Sequence, residues 1–306
     1  ELSSYEAFIK ALEFATFPVL ARVLAVGRTI GNGAITSGFD ASIVEGVALG
    51  SLYQQLFISI VKGQTTAIDS LISRSSALEE NKPRIGALFN QGLALASVVG
   101  IPTTILFATA EYWLKSLGTN PDVAKQAGRF LQGLSYGFLA SCIANADQNL
   151  LMCIGRPSIA SFFQGLFVLS AAAIGYSMTV YTQDPVWLAY GMSLAGVTTL
   201  LLDRIYLYFS KTDGELDRIT YNLFSTSFDS GFTFWELTKL SIPAALQGLN
   251  EWLPSLVTTL IIASNTSPMA EKAQIPSVQF LVAFNQILLA LSSLTTYLVA
   301  KELGKA

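Results

Sequence analysis

The sequence predicts an all-α polytopic membrane protein of about eight transmembrane helices: a six-helix bundle followed by part of a second, related one. Three observations predict it. Only 13% of the 306 residues are charged and 52% are hydrophobic, whereas soluble domains average about 25% charged. Mean hydropathy is +0.50. The apolar residues gather in runs long enough to cross a bilayer, which takes about 20 residues as a helix. Finally, features of the first two runs recur near the end of the chain at almost one offset.

The runs fall at about 14–38, 42–68, 86–112, 128–152, 158–182, 186–209, 236–263 and 275–301. The first, second and eighth are more polar than a lipid-facing helix should be, so each is expected to turn one face to a wet cavity. Counted over the loops with the N-terminus inside, eleven lysines and arginines lie on the inner side and four on the outer. Positive residues favour the cytoplasmic side, so both termini are expected in the cytoplasm of a plasma or inner membrane. Arg22, Arg28 and Lys62 fall within runs.

Pro18 and Pro243 open the first and seventh runs 225 residues apart, and Gly63–Ser73 resembles Ala290–Ala300 at an offset of 227. An offset of six runs puts the second copy on the same side of the membrane, giving two parallel-related halves, one of the repeat arrangements of secondary transporters. The expected organisation is therefore a six-helix lobe at 1–209, a cytoplasmic linker at 210–235 and the first two helices of a second lobe at 236–306. The second copy stops after two helices, so the chain is expected to be a fragment or a truncated protein.

Composition also excludes functions. There is no histidine, which removes the common zinc sites, serine and cysteine triads and histidine proton relays. A net charge of −3 gives no reason to expect a nucleic-acid partner. No phosphate-binding loop and no zinc-protease or serine–histidine pattern is present, so no enzyme is expected, and no cofactor beyond a coupling ion. Cys142 and Cys153 read as small core residues.

Glu251 stands out. It is a lone carboxylate in the apolar run Ser241–Ala263, and a charge at membrane depth is rare unless it works. Gln247, Asn250 and Trp252 flank it, and a Trp beside a carboxylate suits an organic cation. Arg28, at similar depth by the repeat, is a candidate gate partner for Glu251. Asp69 and Arg74, at the end of the second run, read as a helix-end ion pair, and Asp147, Gln148 and Asn149 as groups that hydrogen-bond between helices. Gly27, Gly31 and Gly33 with Pro18 allow either bending or close packing of the first helix.

The segments Gly63–Arg74, Arg84–Gln91, Leu117–Ala124, Gln148–Pro157, Pro243–Trp252 and Lys301–Gly304, in that order and spacing, resemble the multidrug and toxic compound extrusion (MATE) transporters over nearly the whole chain. The resemblance implies two six-helix lobes around a central cavity, and export of amphipathic or cationic organic compounds in exchange for Na⁺ or H⁺. It places Glu251 on the family's acidic position in the seventh helix. It places Asn32 where many members carry a first-helix aspartate; an amide can ligate Na⁺ but cannot carry a proton. The alternatives left open are a lipid-linked-precursor flippase of the same superfamily, against which the scatter of only three cations within runs counts, and a truncated homologue that does not transport. Substrate, ion and oligomeric state are not readable.

Overall fold

A computed structural model describes residues 4–76, 82–210 and 233–265. Among these, nine helices follow one another: α1 (Ser4–Thr36), α2 (Ala41–Ser76), α3 (Lys82–Ala108), α4 (Ala110–Ser116), α5 (Pro121–Ser135), α6 (Phe138–Cys153), α7 (Pro157–Thr182), α8 (Trp187–Phe209) and α9 (Phe234–Asn265). The helices of the first seven predicted runs are all present. The eighth run, and most of the linker expected at 210–235, lie outside the described residues.

Short caps set the ends. Asn120 accepts the backbone N–H of Asp122 at 2.9 Å ahead of Pro121 at the start of α5. A turn through Gly155, at φ +84°, joins α6 to α7. Thr233 and Glu236 form a reciprocal capping box at the start of α9, with Glu236 Oε2 accepting from Thr233 N at 2.8 Å and Thr233 Oγ1 accepting from Glu236 N at 3.3 Å.

The fourth predicted run is corrected. It is two helices, α5 and α6, divided at Tyr136–Gly137. A Cβ on Gly137 would overlap the Ser193 backbone of α8. The Ser193 hydroxyl donates to the carbonyls of Gly133 at 2.7 Å and Leu134 at 3.1 Å, so the break is satisfied by a neighbouring helix, the condition under which irregular backbone survives at membrane depth. The third run also differs: α3 ends at Ala108, and the short α4 follows.

α2 packs along α3, α5, α6 and α9. Its core neighbours include Phe107, Phe130 and Phe138, all nearly inaccessible, with edge-on ring contacts Phe57–Phe107 at 5.6 Å and Phe107–Phe138 at 5.0 Å. At Gly63 an added Cβ would lie 2.6 Å from the carbonyl carbon of Ala244 and 2.7 Å from Cα of Ala245. Only a residue without a side chain lets α2 and α9 meet backbone to backbone. Ser241 of α9 locks the contact by donating to Gln64 O at 3.0 Å. Both repeat prolines lie inside long helices, Pro18 in α1 and Pro243 in α9.

The outward faces are apolar: Leu20, Ile30, Val98, Ile105, Phe162, Val180 and Leu201 are all about half exposed or more. Three of the described helices are long and apolar enough by composition to cross a membrane, at Ala41–Ser76, Arg84–Ala108 and Pro157–Thr182. α5 and α6, at 15 and 16 residues, are too short singly because the break divides them.

Candidate functional site: a cationic cavity at mid-bundle

A cavity of about 90 Å³ lies midway along the bundle, walled by α1, α2, α6, α7 and α8 and by the α5–α6 break. α1 contributes Arg22, Arg28 and Thr29, and α2 contributes Gln54, Gln55 and Lys62. Ser141, Asn145 and Gln148 come from α6, Gln164 and Phe167 from α7, and Ser193 and Thr199 from α8. No aspartate or glutamate is among its described lining residues.

The helical period explains the gathering. Gln55 and Lys62, seven apart, share one face of α2 about two turns along, whereas Arg22 and Arg28, six apart, lie about 120° apart around α1 and both still line the cavity. The Arg28 guanidinium stands over the Phe167 ring at 5.5 Å. Its Nε and Nη1 are closed to solvent and have no hydrogen-bond partner among the described residues. Lys62 lies within electrostatic reach of both arginines. The Arg28 carbonyl accepts the Tyr176 hydroxyl at 2.7 Å, and that ring fills the space beside Gly31. Gly31 therefore serves packing between α1 and α7, and α1 runs unbroken from Ser4 to Thr36.

The residues singled out from the sequence are placed as follows. Asn32 is half-buried on α1, one turn beyond Arg28, and does not line the cavity. Gln247 and Asn250 are exposed on α9. Glu251 and Trp252 lie on α9, and their side chains fall outside the described residues, as does any pairing of Glu251 with Arg28. Asp69 is corrected: no ion pair joins it to Arg74, which is exposed. Its Oδ2 instead accepts from Asn149 Nδ2 of α6 at 3.0 Å. The cause is angular, since residues five apart on a helix do not face each other.

A second polar cluster lies at the end of the bundle where α6 turns into α7. Arg204 Nε of α8 sits 2.9 Å from Asp147 Oδ2 of α6, an electrostatic contact outside good hydrogen-bond alignment. Gln148 Nε2 donates to Asp203 Oδ2 at 3.4 Å. The Arg204 guanidinium also stands over Phe89 at 5.7 Å. Asp147, Gln148 and Asn149 thus each reach a different partner on α2 or α8, the inter-helix role their sequence suggests.

Sequence reasoning missed the cavity's amides, Gln54, Gln55, Asn145 and Gln164. The available signal was their presence inside apolar runs. It also treated Arg22, Arg28 and Lys62 as scattered, whereas the fold collects them in one cavity.

The MatE family model matches residues 19–177, more than half of the chain. The chain belongs to the MatE family. It is accordingly an integral, multi-pass membrane protein with the fold of these transporters. Among solved structures it is similar to the eukaryotic MATE transporter AtDTX14, with a TM-score of 0.80 and 15% identity over 97% of this chain and 66% of that one. A MATE protein in the straight conformation gives a TM-score of 0.77 and 18% identity over 96% of this chain and 65% of that one. The chain thus spans just under two thirds of the length of those two transporters. A transporter of the MOP superfamily from Pyrococcus furiosus, described as having a binding pocket of reverse polarity, gives a TM-score of 0.66 at 18% identity over 95% of this chain and 67% of that one. No curated protein matches by sequence.

Proposed function

We propose that the chain works as a secondary active antiporter, moving amphipathic organic compounds outward in exchange for Na⁺ or H⁺ by rocking of its helical lobes. The observation that carries the proposal is the mid-bundle cavity. Ionisable groups at membrane depth are costly and mark substrate or ion pathways, and five helices of a transporter fold bring three of them together here. The coupling ion and any cationic substrate belong at Glu251 on α9, because the described walls of the mid-bundle cavity carry only positive charge and Asn32 stands where the resemblance expects the acid that would hold a proton on α1.

A second reading has a specific observation behind it. A lipid-linked-precursor flippase carries an anionic head group, and the three gathered cations favour such cargo. The two readings separate in proteoliposomes. Efflux of a fluorescent organic cation under an imposed Na⁺ or H⁺ gradient, abolished in Glu251→Gln, is the antiporter's result. Absence of gradient-driven efflux together with movement of a labelled polyprenyl phosphate between leaflets would replace it with the flippase.

A further inference from the structure

We infer that the mid-bundle cavity is a binding site for a compact oxyanion, a carboxylate or phosphate group. The inference goes beyond the transport reading and stands or falls by binding alone.

Charge is the first argument. Arg22, Arg28 and Lys62 share one cavity whose described walls hold no acid. Like charges gathered away from bulk water repel, and an uncompensated buried charge is expensive. Arg22 and Lys62 have further contacts of their own, so the case rests on Arg28. Two of its nitrogens are buried without a partner among the described residues, while its face is held by Phe167. A guanidinium stacked on a ring is fixed in plane and keeps its N–H fork for an acceptor, and carboxylates and phosphates match that fork.

Neutral donors are the second argument. The amides of Gln55 and Gln164 line the same space, and each can donate to an oxyanion's remaining lone pairs; Asn145 and Gln148 line it too, each with one amide hydrogen given to Ser141 O or Asp203 Oδ2 and one left. Size is the third. About 90 Å³ is the room of roughly three waters, whereas pockets that enclose a drug-sized ligand run to about 300–1,000 Å³. The cavity fits one anionic group, not a whole bulky organic cation.

The test is calorimetric titration of the full chain, purified in neutral detergent at fixed ionic strength. The probes are inorganic phosphate, acetate and dioctanoyl phosphatidic acid, and tetraphenylphosphonium is the cationic control. Saturable binding of at least one anion is expected, weakened at least tenfold in Arg28→Gln and weakened less in Arg28→Lys, which keeps the charge but not the fork. Lys62→Gln, weakened likewise, keeps the test open should Arg28→Gln fail to fold. Binding of inorganic phosphate identifies a soluble anion, binding of acetate alone a carboxylate, and binding of the lipid alone a head group held with its chains; each supports the site. No binding by any of the three anions to natively helical protein overturns it, as does anion binding unchanged in natively folded Arg28→Gln and Lys62→Gln. Gradient-driven efflux in the proteoliposome assay without anion binding would leave the antiporter standing and remove this site. Anion binding without efflux would do the reverse.

Discussion

Two buried charge clusters in the same bundle handle their charge in opposite ways. At the α6–α7 end, Asp147 and Asp203 are fully buried, and each has a neighbour of matching chemistry: Arg204 sits against Asp147 and Gln148 donates to Asp203. At mid-bundle, Arg22, Arg28 and Lys62 surround an open space. The first cluster sets opposite charge and a donor against its acids from within the chain, although both oxygens of Asp147 and Oδ1 of Asp203 keep no well-aligned hydrogen bond among the described residues. The second leaves room and, at Arg28, leaves donors over. Buried charge alone does not mark a site; buried charge around unfilled volume does. Gln148 stands between the two, lining the cavity while it hydrogen-bonds to Asp203.

The largest effect expected from breaking this contrast is at Arg204. Arg204→Met keeps much of the side chain's volume and its contact with Phe89 but strands two buried carboxylates. Removing one partner of a buried pair costs about 3–5 kcal/mol. A large fall in apparent Tm in detergent is expected, with the cavity's residues untouched. A Tm within a degree of the parent would mean that solvent or another group already compensates the acids, and the end cluster would lose its purely structural reading.

The next effect is at the joint between the clusters. Gln148→Leu removes the one side-chain hydrogen-bond donor to Asp203 among the described residues. Leaving a buried acceptor unsatisfied costs about 1–3 kcal/mol. Because the same amide faces the cavity, anion affinity is expected to fall in the same variant, whereas Arg204→Met is expected to spare it. Measuring Tm and phosphate affinity on both variants sharpens the boundary. If affinity falls equally in both, the two clusters act as one network.

Much of the fold was legible because hydrophobic length is a local property. The run expected at 158–182 is the helix Pro157–Thr182, and that expected at 186–209 is Trp187–Phe209. What was not legible depended on neighbours. The break at Gly137 exists because Ser193, far along the chain, presses on it and takes up its carbonyls. Asp69 chose Asn149 over the nearby Arg74 because helix geometry turns Arg74 away. The cavity's charge followed the same rule: three cations spaced over forty positions of sequence reveal their shared space only once α1 and α2 are packed. Asn32, at the first-helix acidic position by resemblance, sits one turn beyond Arg28 and off the cavity wall, and Glu251, the strongest signal in the sequence, falls on α9 with its side chain outside the described residues.

The smallest effect on stability is expected where the functional consequence is greatest. Arg28→Leu removes a contact with Phe167 worth about 0.5–2 kcal/mol. It also removes a buried cation from beside two others, which relieves repulsion and the desolvation of an unsatisfied group. The backbone carbonyl of Arg28 still accepts the Tyr176 hydroxyl, so the α1–α7 seam stays closed. The opposing terms are of similar size, and a Tm close to that of the parent is expected, in contrast to Arg204→Met. Two arginines, each over a phenylalanine ring, would then differ in consequence: one holds the bundle together, and the other holds open a place for something else. A drop in Tm at Arg28 as deep as at Arg204 would show that Arg28 already has an internal partner, and the distinction between a cluster of opposed charges and an open one would fail at its central residue.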